Sequence, residues 1–278
     1  MTPRSRVPTD DRDNGRMDRA ELSRIAHTDH PIAAPVAEPV VRRLLERLDP
    51  AECGRVVDLG CGAGAWLLEL LEARLDLTAV GVDTSLHPER EARAEARGVA
   101  DRLTWAEADA ATWRPVGAHP AFDAVICVGA SHAFGGLSGT LDAIRSHLRP
   151  GGRALLGDAT WEQPPSAAAQ QALGARPGDF PTLAQLVPTL EGHGFEVGYA
   201  HVSSAEEWDD YEWSWTGSLV AWAQREGRSP QDRAQALDAA RSHRRDWVEG
   251  YRGELGFVTA VLHDTRATTA GRSGPDDG

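Results

Sequence analysis

Carboxylates and a glycine turn are spaced along the first half of the sequence in a pattern that could hold a small ligand. Residues 55–64 read Arg-Val-Val-Asp-Leu-Gly-Cys-Gly-Ala-Gly. The alternating Gly60, Gly62 and Gly64 permit a sharp turn and let the backbone approach a ligand closely, where a side chain would collide. Residues 65–74 have helical spacing, so amide groups at that helix N-terminus would face the ligand. The segment predicts a strand, a turn and a helix that bind a nucleotide-like cofactor.

A second strand-like segment also ends in an acid. Residues 77–83 are mostly apolar and end at Asp83, 23 positions after Gly60. An acid at the end of the second strand could accept hydrogen bonds from adjacent ribose hydroxyls. Asp83, followed by Thr84, also suits the N-cap of a helix predicted at 88–98. Ribose binding is favoured by the glycine turn upstream.

The third such segment, 103–109, ends in Asp109, which lies where the exocyclic amine of an adenine could be held. Asp58, inside the glycine segment, would be of no use to a pyrophosphate but suits a cationic ligand. A ligand with a cationic amine, a ribose and an adenine therefore fits better than a dinucleotide. Residues 60–65 still satisfy the dinucleotide fingerprint with Ala in its third position, so an NAD-dependent oxidoreductase stays an alternative.

Strand patterns and helix patterns alternate along the chain and would position these residues. Besides the three segments above, strands are predicted at 122–129 and 153–158. This alternation predicts an α/β protein with a doubly wound parallel sheet. Ligands in open α/β sheets lie at the carboxyl ends of the strands, which places His132, in the glycine-rich loop 130–136, near the chemistry.

In combination, these motifs resemble the class I S-adenosylmethionine-dependent methyltransferases. The matching segments are 56–64, 81–83, 108–109, 122–126 and 148–153. The resemblance implies a Rossmann-like, seven-stranded, mostly parallel sheet whose last strand, at 255–263, is antiparallel. It also implies S-adenosyl-L-methionine as the cofactor and S-adenosyl-L-homocysteine as the product.

The resemblance assigns cofactor contacts to individual positions. Asp83 is expected on the ribose hydroxyls, Asp109 on the adenine amine, and Asp58 with the glycine turn around the methionine moiety. The predicted cofactor contacts are Asp58, Gly60, Cys61, Gly62, Gly64, Asp83, Thr84, Asp109, Ala110 and Val128.

The reaction predicted from this resemblance is methyl transfer to an oxygen, nitrogen or carbon nucleophile of a small organic molecule. Such transfer depends mainly on alignment of the reactants, and a base is needed only if the nucleophile must lose a proton. The candidate bases are His132, then His30 and Asp158. Their structural alternatives are loop hydrogen bonding, helix capping and a satisfied strand-end acid. Because no catalytic residue is obligatory, a cofactor-binding protein without transferase activity is a further alternative.

A tryptophan-rich segment precedes the last strand. Trp208, Tyr211, Trp215 and Trp222 recur with helical spacing. Such an aromatic stripe predicts either a helix packed on the body or a lid over an apolar or cationic substrate.

This segment belongs to a helical insert predicted at about 204–250, whose second helix, 230–249, is expected to expose His243 on a solvated face. The predicted substrate contacts are Ser131, Trp161, Trp208, Tyr211 and Trp215.

Overall composition limits the classes of partner and ligand that are expected for this protein. A formal net charge of −13 disfavours nucleic acid, whose recognition relies on a basic surface. The cysteines Cys53, Cys61 and Cys127 are scattered, without the paired spacing of a zinc site, so no metal is expected. No signal peptide or membrane span is visible, and a reducing cytoplasm is the expected location.

The ends of the chain are polar. Residues 1–18 and 265–278 are predicted to be a disordered leader and a disordered tail. A single methyltransferase domain is predicted at 19–264, and the pattern leaves the oligomeric state open.

Overall fold

A computed structural model describes residues 17–52, 54–115 and 121–266. The strands are β1 (Arg55–Leu59), β2 (Thr78–Asp83), β3 (Leu103–Glu107), β4 (Phe122–Val128), β5 (Leu148–Trp161), β6 (Phe195–Val202) and β7 (Leu255–Asp264). The α-helices are α1 (Arg19–Ala26), α2 (Glu38–Leu48), α3 (Ala65–Ala73), α4 (Arg90–Ala96), α5 (Leu137–His147), α6 (Ala167–Leu173), α7 (Leu183–Gly192), α8 (Ala205–Gln224) and α9 (Pro230–Arg245). Short 3₁₀ helices span Ala100–Arg102 and Ser131–Phe134, and a π-helical turn spans Asp246–Tyr251.

The seven strands form one sheet in the order β3-β2-β1-β4-β5-β7-β6. The neighbouring pairs among β1 to β5 are parallel, whereas β7 runs antiparallel to both β5 and β6. Helices α8 and α9 lie between β6 and β7 in the chain. The predicted fold class, a mostly parallel sheet with an antiparallel last strand and a helical insert before it, is confirmed.

Side chains of the central strands point alternately to two layers of helices. Val56 and Ile126 pack toward α2, α3 and α4, while Val57 and Val125 pack toward α5 and α7. A strand covered on both faces must be apolar at successive positions, which is why β4 is an almost unbroken apolar run.

Strand β5 is longer than the predicted 153–158 because β7 pairs with it as far as Trp161. Val128, the last residue of β4, lies opposite Gly157 of β5. The final residues of β5 therefore extend past the end of β4 and flank the carboxyl edge of the sheet.

Helices α1, α8 and α9 pack on one another as a three-helix layer. Gln235 of α9 accepts a hydrogen bond from the Met17 amide (3.0 Å) and donates to the Met17 carbonyl (2.7 Å). Asp18 caps α1 by accepting from the Glu21 amide at 2.7 Å. The described residues thus begin two positions before the predicted domain boundary. The rest of the predicted leader, residues 1–16, lies outside the described residues.

At the other end, the described residues extend two positions past the predicted boundary at 264. Arg266 donates to the carbonyl oxygens of Arg145 (3.0 Å) and Leu148 (2.9 Å) and pairs with Asp264 at 2.6 Å. These contacts hold the end of β7 against α5, so the start of the predicted tail is ordered. The residues after Arg266 lie outside the described part of the chain.

The connection from α1 to α2, residues 27–37, forms a strap across the carboxyl ends of the strands. A Cβ atom built on Gly129, just after β4, would lie 3.9 Å from the carbonyl oxygen of Ala33. Ala33 itself has a left-handed backbone, with φ of 54°. The strap therefore lies over the end of β4.

Glu207 anchors this strap to the insert. Its carboxylate accepts from the amides of Ala37 (3.0 Å) and Ser204 (2.8 Å), and it lies 2.9 Å from the His201 ring nitrogen Nε2. One side chain in the first turn of α8 thus joins α8 to β6 and to the start of α2.

We expect Glu207→Ala to destabilise the protein by about 1–3 kcal/mol, since it leaves the Ala37 amide without its acceptor. The matched control is Glu206→Ala, an exposed acid in the same helical turn, for which a change within about 0.5 kcal/mol is expected. Urea unfolding of both variants measures the difference. Equal losses of unfolding free energy in the two variants would mean that the acids stabilise the protein only through their charge at the helix N-terminus.

Candidate functional site

The glycine turn between β1 and α3 is tied to β2 by its backbone. The amides of Gly60 and Cys61 both donate to the Val82 carbonyl, at 2.8 and 3.0 Å, and the Gly64 amide donates to the Cys61 carbonyl at 2.7 Å. Gly60, Gly62 and Gly64 have φ values of 88°, 51° and 74°. These left-handed conformations favour glycine, and the turn lies at the carboxyl edge of the sheet.

Two of these glycines serve different purposes. A Cβ on Gly60 would lie 2.4 Å from the Ala130 Cβ, whereas a Cβ on Gly62 would meet no atom within 4 Å. Gly60 lets the turn pack against the loop after β4. Gly62 leaves backbone facing open space, where a ligand could approach.

Asp83 holds its carboxylate against this turn. Its Oδ2 accepts from the Gly62 amide and its Oδ1 from the Ser85 amide, each at 2.9 Å. The following helix, α4, begins at Arg90 with Glu89 as its N-cap residue, so Asp83 does not cap it. Each carboxylate oxygen has a second lone pair, which leaves two acceptors for a diol.

Asp58 is buried beside Asp83, with only 1% of its surface exposed, and its Oδ2 has no hydrogen-bond partner among the described residues. Burial, and secondly the charge of Asp83, raises the pKa of Asp58 from 3.8 to about 8. A buried carboxylate of this kind is stabilised by a cation. The site therefore fits a ligand that brings positive charge to the turn, as the methionine moiety of S-adenosyl-L-methionine would.

The remaining predicted cofactor positions lie along the same edge. Asp109 follows β3, which ends at Glu107 rather than 109 because the Asp109 carboxylate accepts from the Ala111 amide (2.9 Å) and begins a turn. Asp109 and Thr84 are exposed, Ala110 is buried, and Val128 is partly buried at the end of β4. The structure thus brings the predicted cofactor positions to one edge of the sheet.

The predicted catalytic positions after β4 and in β5 meet at the same edge. Ser131 Oγ donates to Asp158 Oδ1 at 2.8 Å, and the Ala159 amide donates to the same oxygen at 2.9 Å. Burial raises the pKa of Asp158, while the hydrogen bond from Ser131 opposes that rise. Asp158 Oδ2 makes no hydrogen bond within the described residues. His132 is exposed and interacts with Asp158 only through its charge.

His30 lies in the strap rather than at a helix end. Its Nε2 is 4.0 Å from the Asp210 carboxylate, its Nδ1 is buried without a partner among the described residues, and its ring meets Tyr211 edge-on with centroids 5.4 Å apart. Burial lowers the pKa of His30, opposed by the Asp210 charge. His30 and Asp210 line a cavity of about 680 Å³ that reaches Ala63 in the glycine turn.

Three of the predicted substrate contacts pack against other side chains of the protein. Trp161 is 3% exposed and its indole donates to the Pro177 carbonyl at 3.0 Å, because the extended β5 places it within a hydrophobic cluster. Trp215 stacks on His243 with centroids 3.8 Å apart. Tyr211 is hydrogen-bonded to the His27 ring at 3.1 Å. Burial corrects the prediction for Trp161. Tyr211 and Trp215 are partly exposed, so their contact with a substrate stays a prediction, and their packing favours a packed helix over a mobile lid.

A buried polar network in the insert escaped the sequence interpretation. Glu212 is 1% exposed, and its two oxygens contact His243 Nε2 at 2.6 Å and the Tyr251 hydroxyl at 2.7 Å. His243 was expected on a solvated face, so this contact is a correction. Burial, and then the Glu212 charge, raises the pKa of Tyr251. The one sign of this network in the sequence is Glu212 itself, an acid at an otherwise apolar position of α8.

Neither a metal centre nor a membrane-spanning helix is found among the described residues. They contain no group of three or more His, Cys, Asp or Glu side chains placed to hold a metal ion. No helix within 17–52, 54–115 or 121–266 is long and apolar enough to cross a membrane.

A glycine turn, two adjacent carboxylates and a third acid along the carboxyl edge of a mostly parallel sheet define a nucleoside-binding α/β protein. Residues 57–154 match a family model described as a methyltransferase domain. The uncharacterized protein YjhP of Escherichia coli (strain K12) is 32% identical over 200 residues, which are 70% of this chain and 79% of that protein.

Two further comparisons agree. The trans-aconitate 2-methyltransferase of Azoarcus sp. (strain BH72) is 28% identical over 207 residues, covering 71% of this chain and 77% of the relative. The crystal structure of a SAM-dependent methyltransferase from Geobacter sulfurreducens, in complex with S-adenosyl-L-homocysteine, matches with a TM-score of 0.77 at 26% identity, covering 87% of this chain and 97% of that one. The chain belongs to the S-adenosylmethionine-dependent methyltransferase family, which confirms the predicted family, enzyme class and cofactor.

Replacing Asp58 tests the electrostatics of the site. Because the pKa of Asp58 is raised in the folded chain, the folded state binds its proton more tightly than the unfolded state does, and stability falls as pH rises from about 4 to 8. Asp58→Asn removes this loss. We expect its Tm to exceed that of the parent by about 2 °C or more at pH 8, with a smaller difference at pH 5.

Thermal unfolding at both pH values measures this difference, with Asp109→Asn, an exposed acid just after β3, as the control. A Tm difference for Asp58→Asn that is independent of pH contradicts the assignment of a buried, proton-binding carboxylate.

Proposed function

We propose that this enzyme transfers the methyl group of S-adenosyl-L-methionine to a small organic molecule bound between the loop after β4, the end of β5 and the three-helix layer. The observation that carries the proposal is the buried Asp58 carboxylate, with its unpartnered oxygen, beside a turn whose backbone faces open space. A dinucleotide would bring two negative phosphates to this carboxylate, so the oxidoreductase alternative is disfavoured.

The cofactor supplies a methyl group on a positively charged sulfur. The residues proposed to hold it are Asp58, Gly60, Cys61, Gly62, Gly64, Asp83, Thr84, Asp109, Ala110 and Val128. In this assignment Asp58 offsets the positive charge of the methionine moiety, and Asp83 offers two acceptors to the ribose hydroxyls. The exposed Asp109 is available to the adenine amine.

On the acceptor side, the chain has to orient the nucleophile and exclude water. Alignment of this kind contributes up to roughly 7–11 kcal/mol to a displacement. Asp158 is the favoured proton acceptor because Ser131 and the Ala159 amide fix one of its oxygens and leave the other available. His132, which is exposed, and His30, which lies in the strap, are the other candidates.

The proposal extends to the location of the enzyme and to its partners. We place the enzyme in the cytoplasm because Cys61 and Cys127 are free thiols, which a reducing compartment preserves. The net charge of −13 supports a small-molecule acceptor over nucleic acid.

Calorimetric titration tests the choice of cofactor. We expect saturable binding of S-adenosyl-L-homocysteine and no binding of NAD. Asp58→Asn is expected to weaken the affinity for S-adenosyl-L-methionine about tenfold or more, because it removes the charge that faces the cation. Binding of NAD in place of S-adenosyl-L-homocysteine would reverse the proposal.

A test of the proton acceptor needs a substrate that accepts the methyl group. Such a substrate is identified by screening amines and alcohols for release of S-adenosyl-L-homocysteine. Asp158→Asn is expected to lower kcat by about 10²–10⁴-fold. Since the pKa of Asp158 is raised, the parent should lose activity as pH falls through a value above 3.8, and the variant should lack that limb. His132→Ala is the comparison. If it abolishes the limb while Asp158→Asn retains it, the roles are exchanged.

A further inference from the structure

A small aromatic pocket lies beyond the end of β5 and has no part in holding the cofactor. It is lined by Glu162, Trp208, Asp209, Trp247, Tyr251 and Arg252 and has a volume of about 100 Å³. From it we infer that the methyl acceptor carries a positively charged ammonium group, which this pocket binds. The inference rests on the proposed function and adds the chemical class of the acceptor.

The walls of the pocket are aromatic rings fixed by packing. Trp247 is 1% exposed, Tyr251 is also buried, and the rings of Trp208 and Tyr251 meet edge-to-face with centroids 6.4 Å apart. The indole nitrogen of Trp208 is buried and has no hydrogen-bond partner among the described residues. Rigid aromatic walls of this kind attract cations through the ring quadrupole, and Trp does so most strongly.

The buried network behind the pocket strengthens this attraction. The Tyr251 hydroxyl donates to Glu212 at 2.7 Å, and Glu212 is itself buried. A phenol that donates to a carboxylate gains electron density in its ring. The ring face of Tyr251 is therefore more negative than that of a tyrosine bonded to water. Glu212 in this way contributes to cation binding as well as to packing of the insert.

The charges around the pocket leave one carboxylate uncompensated. Arg252 is held by Asp209 through two hydrogen bonds, of 3.0 and 2.7 Å, so these two charges offset each other. The Arg252 guanidinium also lies over the Trp247 ring, 5.9 Å from its centroid, so the rings offered to a ligand are chiefly those of Trp208 and Tyr251. The side chain of Glu162 makes no hydrogen bond or ion pair within the described part of the chain. An ammonium group meets an aromatic wall and a free carboxylate here. A carboxylate substrate, such as the one in the name of the Azoarcus relative, would be repelled.

The pocket is within reach of the methyl-transfer edge. Asp158 and Glu162 are four residues apart, which an extended strand spans in about 13 Å. A molecule of that length could place its cation in the pocket and its nucleophile beside Ser131 and Asp158. The projection of β5 past β4 thus sets the distance between the charged group and the reacting atom.

The test uses two probes of nearly equal shape, choline and its neutral analogue 3,3-dimethylbutanol, added to the full chain saturated with S-adenosyl-L-homocysteine. Tryptophan fluorescence and calorimetry follow binding. We expect choline to bind saturably and the neutral analogue to bind at least about tenfold more weakly. Glu162→Gln should weaken choline about fivefold and leave the affinity for S-adenosyl-L-homocysteine unchanged. Glu191→Gln, an exposed acid on α7, is the matched control and should leave both unchanged.

Equal binding of the two probes, absence of saturable choline binding, or an unchanged choline affinity in Glu162→Gln would overturn the inference. These outcomes leave the proposed function intact as long as S-adenosyl-L-homocysteine binds. Failure of S-adenosyl-L-homocysteine itself to bind would instead overturn the proposed function.

Discussion

The constraint on which the site depends is a carboxylate held out of water next to another carboxylate. Asp58 lies one residue before the end of β1, which is flanked by β2 and β4 in the middle of the sheet, and only 1% of its surface is exposed. A charge placed there has to be neutralised by a proton or by a cationic ligand. The glycine turn complements this buried carboxylate, because it brings backbone atoms rather than side chains to the same edge of the sheet.

The two halves of the site are built differently. The cofactor half comes from consecutive strand, turn and helix units, and its groups are positioned by local hydrogen bonds such as the one from the Gly62 amide to Asp83. The acceptor half is assembled from the strap, the loop after β4, the projecting end of β5 and the helical insert. Glu207 links several of these parts, so the acceptor half depends on contacts between distant segments.

This difference explains how much the sequence could predict. Asp58, Asp83 and Asp109 were located correctly at the carboxyl edge because strand periodicity alone places a residue at the end of its strand. Trp161 was misplaced because the length of β5 is set by pairing with β7, which no local pattern reports. The contacts of Glu212 with His243 and Tyr251 span 31 and 39 residues, and a histidine among arginines gives no sign of a buried partner.

The three-helix layer also bears on the order in which the molecule can form. Met17 is joined to Gln235 across 218 positions of the chain, so α1 is synthesised well before α8 and α9 and finds its partners only when they have been made. Contacts so distant in sequence carry the largest loop-closure cost and form late in folding. The cofactor half is built from segments that are closer together in the chain. It can therefore fold while the half of the site that binds the methyl acceptor is still incomplete.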